Sequence, residues 1–193
     1  VFQPDVPSGP MVEMGTVLDG VSEHMLTQPE DQGFRLSKVK PVDIVASLKK
    51  SKADILVNYL PVGSQAATEF YAQAAIDAQV AFLNCIPVFI ASDPTWEQKF
   101  IDAGLPIIGD DMRSQLGASV LSQVLQELAF DRGLIVDFHQ QLNIGGNTDF
   151  NNMMVQSRLA SKKKSKENVI RAQNDLRNIP VAEHSLFAGP STY

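Results

Sequence analysis

Two lysines four residues apart, Lys162 and Lys166, have the type and spacing that chemistry could use. In a helix such a pair lies on one face, about 40° apart around the axis. Their ammonium groups repel by roughly 0.2–0.5 kcal/mol, a cost that an anion seated between them turns into a gain. A lysine beside another cation also releases its proton more easily and can then accept one. The pair sits in RLASKKKSK, residues 158–166, after a Gly145-Gly146 turn and a polar knot of Asn147, Thr148 and Asp149. Taken alone, KKKSK also reads as a solvated face, and Asn147 to Asp149 as an Asx turn capping the next helix.

Upstream, polar or Gly/Pro-containing turns follow apolar runs at residues 59–64 (YLPVGS), 84–87 (NCIP) and 109–111 (GDD). His24, His139 and His184 have no metal-ligand spacing, so no metal ligand is singled out and a metal requirement stays open. Cys85, the single cysteine, reads as a packed thiol at a strand end.

The elements that must position these groups alternate. Residues 41–50 have helical spacing, with Val42, Val45 and Leu48 apolar and lysines at the C-terminal end. Residues 53–60 (ADILVNYL) read as a strand, and Ser64 as the cap of a helix over 65–78 with Phe70, Ala74 and Ile76 in its buried stripe. A second strand over 80–86 precedes a helix with Asp93 as cap, Pro94 first, and an end near Ala103-Gly104. A short strand at 105–108 leads to a helix from Ser114 to Asp131 with Leu116, Val120, Val124 and Leu128 on one face. Residues 135–144 read as a fourth strand. Residues 1–40 read as loops, with a short strand near Val12 and a weak helix over 19–25.

This order predicts an α/β fold: the C-terminal half of a Rossmann-like doubly wound parallel sheet, ligands at its carboxyl edge. No G-x-G-x-x-G follows a strand. The 193 residues suffice for a real core, and 44% hydrophobic with 20% charged residues is ordinary for a globular protein. A net charge of −6 argues against a general nucleic-acid binder. One cysteine suits a reducing cytoplasm, and no apolar run is long enough for a membrane span. Val1 within Pro-rich sequence and a final LFAGPSTY read as an internal piece of a longer protein.

NYLPVGS at 58–64, NCIPVFIAS at 84–92, GLPIIGDDMRSQLGA at 104–118, QLNIGGNTDFNNM at 141–153 and RLASKKKSK resemble myo-inositol-1-phosphate synthases of the archaeal and bacterial branch. VLDG at 17–20 and AGPSTY at 188–193 are weaker flanking matches. The resemblance implies NAD-dependent cyclisation of D-glucose 6-phosphate by oxidation, enolisation, intramolecular aldol closure and reduction. It implies a division into part of an NAD-binding domain, residues 1–134, and the beginning of an α+β catalytic and oligomerisation domain, residues 135–193. A homotetramer is implied too.

Residue by residue, Lys162 and Lys166 match the lysines of the family's S-K-x-x-S-K motif, which hold substrate oxygens and stabilise charge. The second intervening residue, Lys164, replaces a commonly apolar one. Asp111 is expected to contact the cofactor or orient a catalytic lysine, and Ser114 to bind the substrate phosphate at a helix N-terminus. Ser64, Asn84, Asn147 and Asp149 are expected to line the cofactor. The other readings are a related enzyme acting on another phosphorylated sugar, or a non-catalytic module that binds NAD or a sugar phosphate.

Overall fold

The computed structural model describes residues 9, 11–31, 35–136, 139, 143–144, 148–177 and 190–191. In chain order the elements are α1 (Glu23–Leu26), α2 (Ile44–Ser51), β1 (Ile55–Asn58), α3 (Gln65–Ala78), β2 (Ala81–Asn84), α4 (Pro94–Ala103), β3 (Ile107–Ile108), α5 (Ala118–Asp131), β4 (Asn143–Ile144), α6 (Thr148–Met153), α7 (Gln156–Leu176) and β5 (Pro190–Ser191).

Strands β1, β2 and β3 pair in parallel in that order, with Ile55 opposite Ala81 and Phe82 opposite Ile107. Parallel neighbours need helical crossovers, and α3 and α4 supply them. The alanines of α3 let that helix approach the sheet closely. Ala72 and Ala75 pack with Phe82, Val88, Ile90 and Phe100, and Leu56 and Ile107 complete the layer. Phe82 and Phe100 stack with centroids 6.2 Å apart. Side chains alternate along a strand, so Ile55, Val57 and Ile108 face the other way, where they are 58%, 42% and 64% exposed. The chain is thus α/β with a small parallel sheet.

Helix ends follow local chemistry. Asp43 accepts from Ala46 N at 3.0 Å to start α2. Asp93 accepts from Thr95 N and Trp96 N to start α4, with Pro94 first and Gly104 as the left-handed stop. Helix α3 departs from expectation, since the Ser64 side chain does not cap it. The cap is Asp19, whose two carboxylate oxygens accept from Ala66 N and Ala67 N, each at 2.8 Å. A carboxylate satisfies two orphan N–H groups with charge-assisted bonds and complements the helix dipole, which a hydroxyl cannot match. Ser64 Oγ instead donates to Pro61 O at 2.6 Å.

Other expectations are corrected. The helix expected from Ser114 begins at Ala118, with Gly117 as its N-cap. Ser114 is in the preceding loop. The expected strand over 135–144 does not extend the main sheet among the described residues. Leu134 to Val136 lack regular structure, and Asn143–Ile144 pairs with Pro190–Ser191 in a separate two-stranded sheet. Residues 137–138 and 140–142 lie outside the described residues. Val12 lacks regular structure and is 99% exposed, and the helix expected over 19–25 is only α1. Phe70 stands at the exposed edge of α3. Helix α5 inverts its expected burial: Val124 and Leu128 are exposed, as is Leu116 in the loop before it, whereas Ser122 and Gln126 are buried. Its polar side meets α7, where Gln126 donates to Asn174 Oδ1 at 2.5 Å and Gln173 to Gln123 O at 2.9 Å. Among the described residues no helix is long and apolar enough to cross a membrane.

Replacing Asp19 with Ala uncovers two N–H groups of α3 and is expected to lower unfolding free energy by about 1–2 kcal/mol in urea titrations. Asp19→Asn, which keeps one oxygen acceptor, is expected to lose less.

Candidate functional site

The residues that end the parallel strands are tied together by buried side chains. Asn58, at the end of β1, donates to Asn84 Oδ1 at 2.9 Å and to Thr68 Oγ1 at 3.2 Å. Asn84, at the end of β2, donates to Val88 O at 2.6 Å and to Asp110 Oδ1 at 2.7 Å. Asp110, just past β3, accepts from the N–H groups of Ile90, Ala91 and Ser92 at 3.0, 3.1 and 3.1 Å. Successive backbone N–H groups form a concavity suited to an anion, and here a carboxylate of the chain itself fills it. Gly109 is held against this ladder. A Cβ there would stand 2.7 Å from Asn84 O.

The ladder delivers Asp111 to the carboxyl edge of the sheet. Asp111 N donates to Ile86 O, and Met112 N to Cys85 O, each at 3.1 Å. Asp111 has φ +60°, a left-handed conformation that costs a residue with a side chain about 1–2 kcal/mol. Its carboxylate, 9% exposed, accepts from Lys162 Nζ at 2.8 Å and from Ser165 Oγ at 2.6 Å. Both donors come from α7. Its polar, lysine-rich sequence is helical because it lacks Gly and Pro and is rich in straight-chain residues.

Lys166 lies one turn beyond Lys162. Burial pushes its pKa below the ordinary lysine value, Lys162 pushes it further the same way, and Asp111 opposes them. The remaining lysines of the run are engaged elsewhere: Lys163 Nζ donates to Gln156 Oε1 at 3.2 Å, and Lys164 Nζ lies 5.5 Å from the Phe89 ring centre.

Two clefts meet at Asp111, Met112 and Lys162. The first, about 430 Å³, is lined by Arg113, Ser114, Ser165, Lys166 and the start of α5. Three cationic side chains, a hydroxyl and a helix N-terminus give it the chemistry of an anion site. The second, about 320 Å³, lies against the turns after β1 and β2 and is lined by Tyr59, Pro61, Ile86, Asp149 and Asn152 among others. It is more apolar, with polar groups at its rim. Among the described residues no group of His, Cys, Asp and Glu is placed to hold a metal ion.

The structure therefore brings together Lys162, Lys166, Asp111, Ser114 and Asp149 around the joined clefts. Asn147 lies outside the described residues. Ser64 and Asn84 line neither cleft: both are fully buried, with side chains turned inward into hydrogen bonds with protein groups. Their effect on the site is through the turns they hold. Asp19, Asp110, Asn152 and Arg158 were not singled out from the sequence. The signal available was their place within the quoted blocks, beside residues that were.

Residues 117–185 match the family described as myo-inositol-1-phosphate synthase. The chain is 48% identical over 197 residues to the inositol-3-phosphate synthase of Corynebacterium glutamicum, an alignment covering 98% of this chain and 52% of that protein. It is 51% identical over 188 residues to that of Mycolicibacterium smegmatis, covering 97% and 50%, and 52% identical over 164 residues to that of Mycobacterium tuberculosis, covering 85% and 43%. The chain spans about half the length of the curated relatives it matches. Among solved structures it is similar to a myo-inositol-1-phosphate synthase-related protein from Thermotoga maritima, with a TM-score of 0.58 and 27% identity over 77% of this chain and 44% of that one. The crystal structure of Ari2 gives 0.52 and 48% identity over 56% of this chain and 33% of that one. The sequence blocks and these similarities agree: residues 117–185 fall within the myo-inositol-1-phosphate synthase family's pattern, and most of the chain is similar to about half of each inositol-3-phosphate synthase named above.

Proposed function

We propose that this chain carries the reaction centre of an NAD-dependent inositol-3-phosphate synthase, an isomerase that cyclises D-glucose 6-phosphate. The observation that supports it most is Lys166, half-buried and with its pKa lowered beside a second lysine that is fixed to Asp111. Enolisation next to a carbonyl needs a base for the carbon-bound proton and a cation for the developing oxyanion. Lys166 as free amine takes the proton from C6, while Lys162 directs its remaining N–H bonds at the enolate oxygen. Asp111 and Ser165 hold Lys162 for that task. As C6 bonds to C1, the C1 oxygen gains negative charge and receives the proton that Lys166 carries. Ser114, Arg113 and the start of α5 hold the phosphate in the first cleft.

The second cleft fits the nicotinamide half of NAD: concave, largely apolar, with Asp149 and Asn152 at its edge for ribose hydroxyls. NAD, when bound, supplies the hydride acceptor and donor. We place the division between the Rossmann-like part, residues 1–134, and the catalytic and oligomerisation part, residues 135–193, across this site. A cytoplasmic homotetramer is part of the same proposal and rests on the family.

The intact protein, given NAD⁺ and glucose 6-phosphate, is expected to form inositol phosphate detectable by chromatography. Lys162→Ala and Lys166→Ala are each expected to lower turnover by at least ~100-fold, the scale of one lost transition-state contact. Turnover should rise with pH along an acid limb, because the base must be neutral, with a midpoint below that of an ordinary lysine. Product formed equally well by both variants would refute the assignment.

Two substitutions should move the Lys166 pKa in opposite directions in a lysine NMR titration. Asp111→Asn removes the group that raises it and should lower it further. Lys162→Met removes a group that lowers it and should raise it.

A further inference from the structure

Arg158 is 9% exposed, and its donors meet neutral acceptors. Its Nε donates to Asn152 Oδ1 at 2.7 Å, Nη1 to Asp19 O at 2.9 Å and Nη2 to Ser64 Oγ at 3.4 Å. Asn152 in turn donates to Val62 O at 2.8 Å. Burial lowers the guanidinium's pKa, opposed by Asp19, whose carboxylate is engaged in capping α3. Buried charge matched to neutral oxygens gains less than a bidentate carboxylate pair would give. What the arrangement fixes is geometry.

The turn at Val62 to Ser64 sits directly on the first turn of α7. A Cβ on Gly63 would stand 2.5 Å from Arg158 Cβ and 2.7 Å from Arg158 Cα, and Gly63 has φ +88°. Only glycine permits this contact. Arg158, Lys162 and Lys166 follow at four-residue spacing along one side of α7, with Lys166 about 12 Å along the axis from Arg158.

We propose that Arg158 is the positioning residue for both lysines. It pins the first turn of α7 to Asp19, Ser64 and, through Asn152, to Val62, and so sets where Lys162 meets Asp111 and how deeply Lys166 enters the cleft. The catalytic consequence rests on the reaction proposed above; the pin itself does not. A lysine at 158 keeps the charge but cannot present a planar fork to three acceptors at once. With the pin loosened, α7 gains freedom to shift, and Lys166 is less shielded from water.

The test uses the intact protein and Arg158→Lys, with circular dichroism confirming the fold. Trace acetic anhydride labelling across a pH series, read by peptide mass spectrometry, gives the midpoint for Lys166, with exposed Lys50 as internal reference. The expected result is an upward shift of at least about 0.5 pH unit for Lys166, about threefold in free amine, and none for Lys50. Turnover should fall about 10–100-fold, the cost of misplacing catalytic groups, while the KM for NAD⁺ changes little. Asn152→Ala and Ser64→Ala each remove one acceptor and should shift the midpoint in the same direction, which decides the matter if Arg158→Lys fails to fold. An unchanged Lys166 midpoint in the folded variants overturns the proposal. Should the wild type form no inositol phosphate, the reaction assignment fails while the midpoint still decides whether Arg158 positions α7.

Discussion

The carboxyl edge of the sheet depends on one chain of polar contacts, running from buried Asn58 and Asn84 to half-buried Asp110 and into the N–H groups of residues 90–92. Such groups are costly to bury unless every member is matched, and once matched they allow little movement. Here they join the ends of β1, β2 and β3, so the turns that would meet a ligand are fixed relative to one another. Asp111 follows directly in sequence. Its left-handed backbone is strain of the kind that persists where the surroundings enforce it.

Onto this edge the chain lays α7. Its lysines are charges without the large apolar face that usually holds a helix in place. Few of its residues, among them Leu159, Val169 and Ile170, are buried hydrophobics. Specific polar contacts compensate: Arg158 at its start, Lys162 and Ser165 on Asp111, and Gln173 against α5. Side chains from both sides of residues 134 and 135 meet here, since Lys162 and Ser165 of α7 both donate to Asp111. Two clefts of different chemistry, one cationic and one largely apolar, share a wall made of Asp111, Met112 and Lys162.

Much of this was legible in the residues. Local signals located α4 from Asp93, Pro94 and Gly104, and strands β1 and β2 from their apolar runs, because capping and burial act within a few positions. Helical spacing put Lys162 and Lys166 on one face. What escaped was long-range. Asp19 caps a helix 47 residues away, a choice that depends on which segment folds over α3. Ser64 and Asn84 have the right types for ligand contact, but Ser64 turns to Pro61 O within its own turn, and Asn84 is held by Asn58 and Asp110 from the neighbouring strand ends. In α5 the periodicity marked an apolar face, yet spacing cannot say which neighbour a face meets, and here the polar side faces α7. Of the strand expected over 135–144, Asn143–Ile144 is a strand, but its partner, Pro190–Ser191, lies too far along the chain for alternation to name it.

We propose that a sugar phosphate lies across the junction of the clefts, its phosphate at Ser114 and its reacting carbons between Lys162 and Lys166. The most direct measurement is a crystal structure of the intact protein with NAD⁺ and the open-chain, reduced analogue of glucose 6-phosphate, which cannot cyclise. The account predicts phosphate oxygens within hydrogen-bond distance of Ser114 and the start of α5. It also predicts analogue hydroxyls on Lys162 and Lys166 Nζ, and the nicotinamide in the cleft beside Tyr59 and Ile86. An analogue bound away from both lysines, with the phosphate elsewhere, would contradict it.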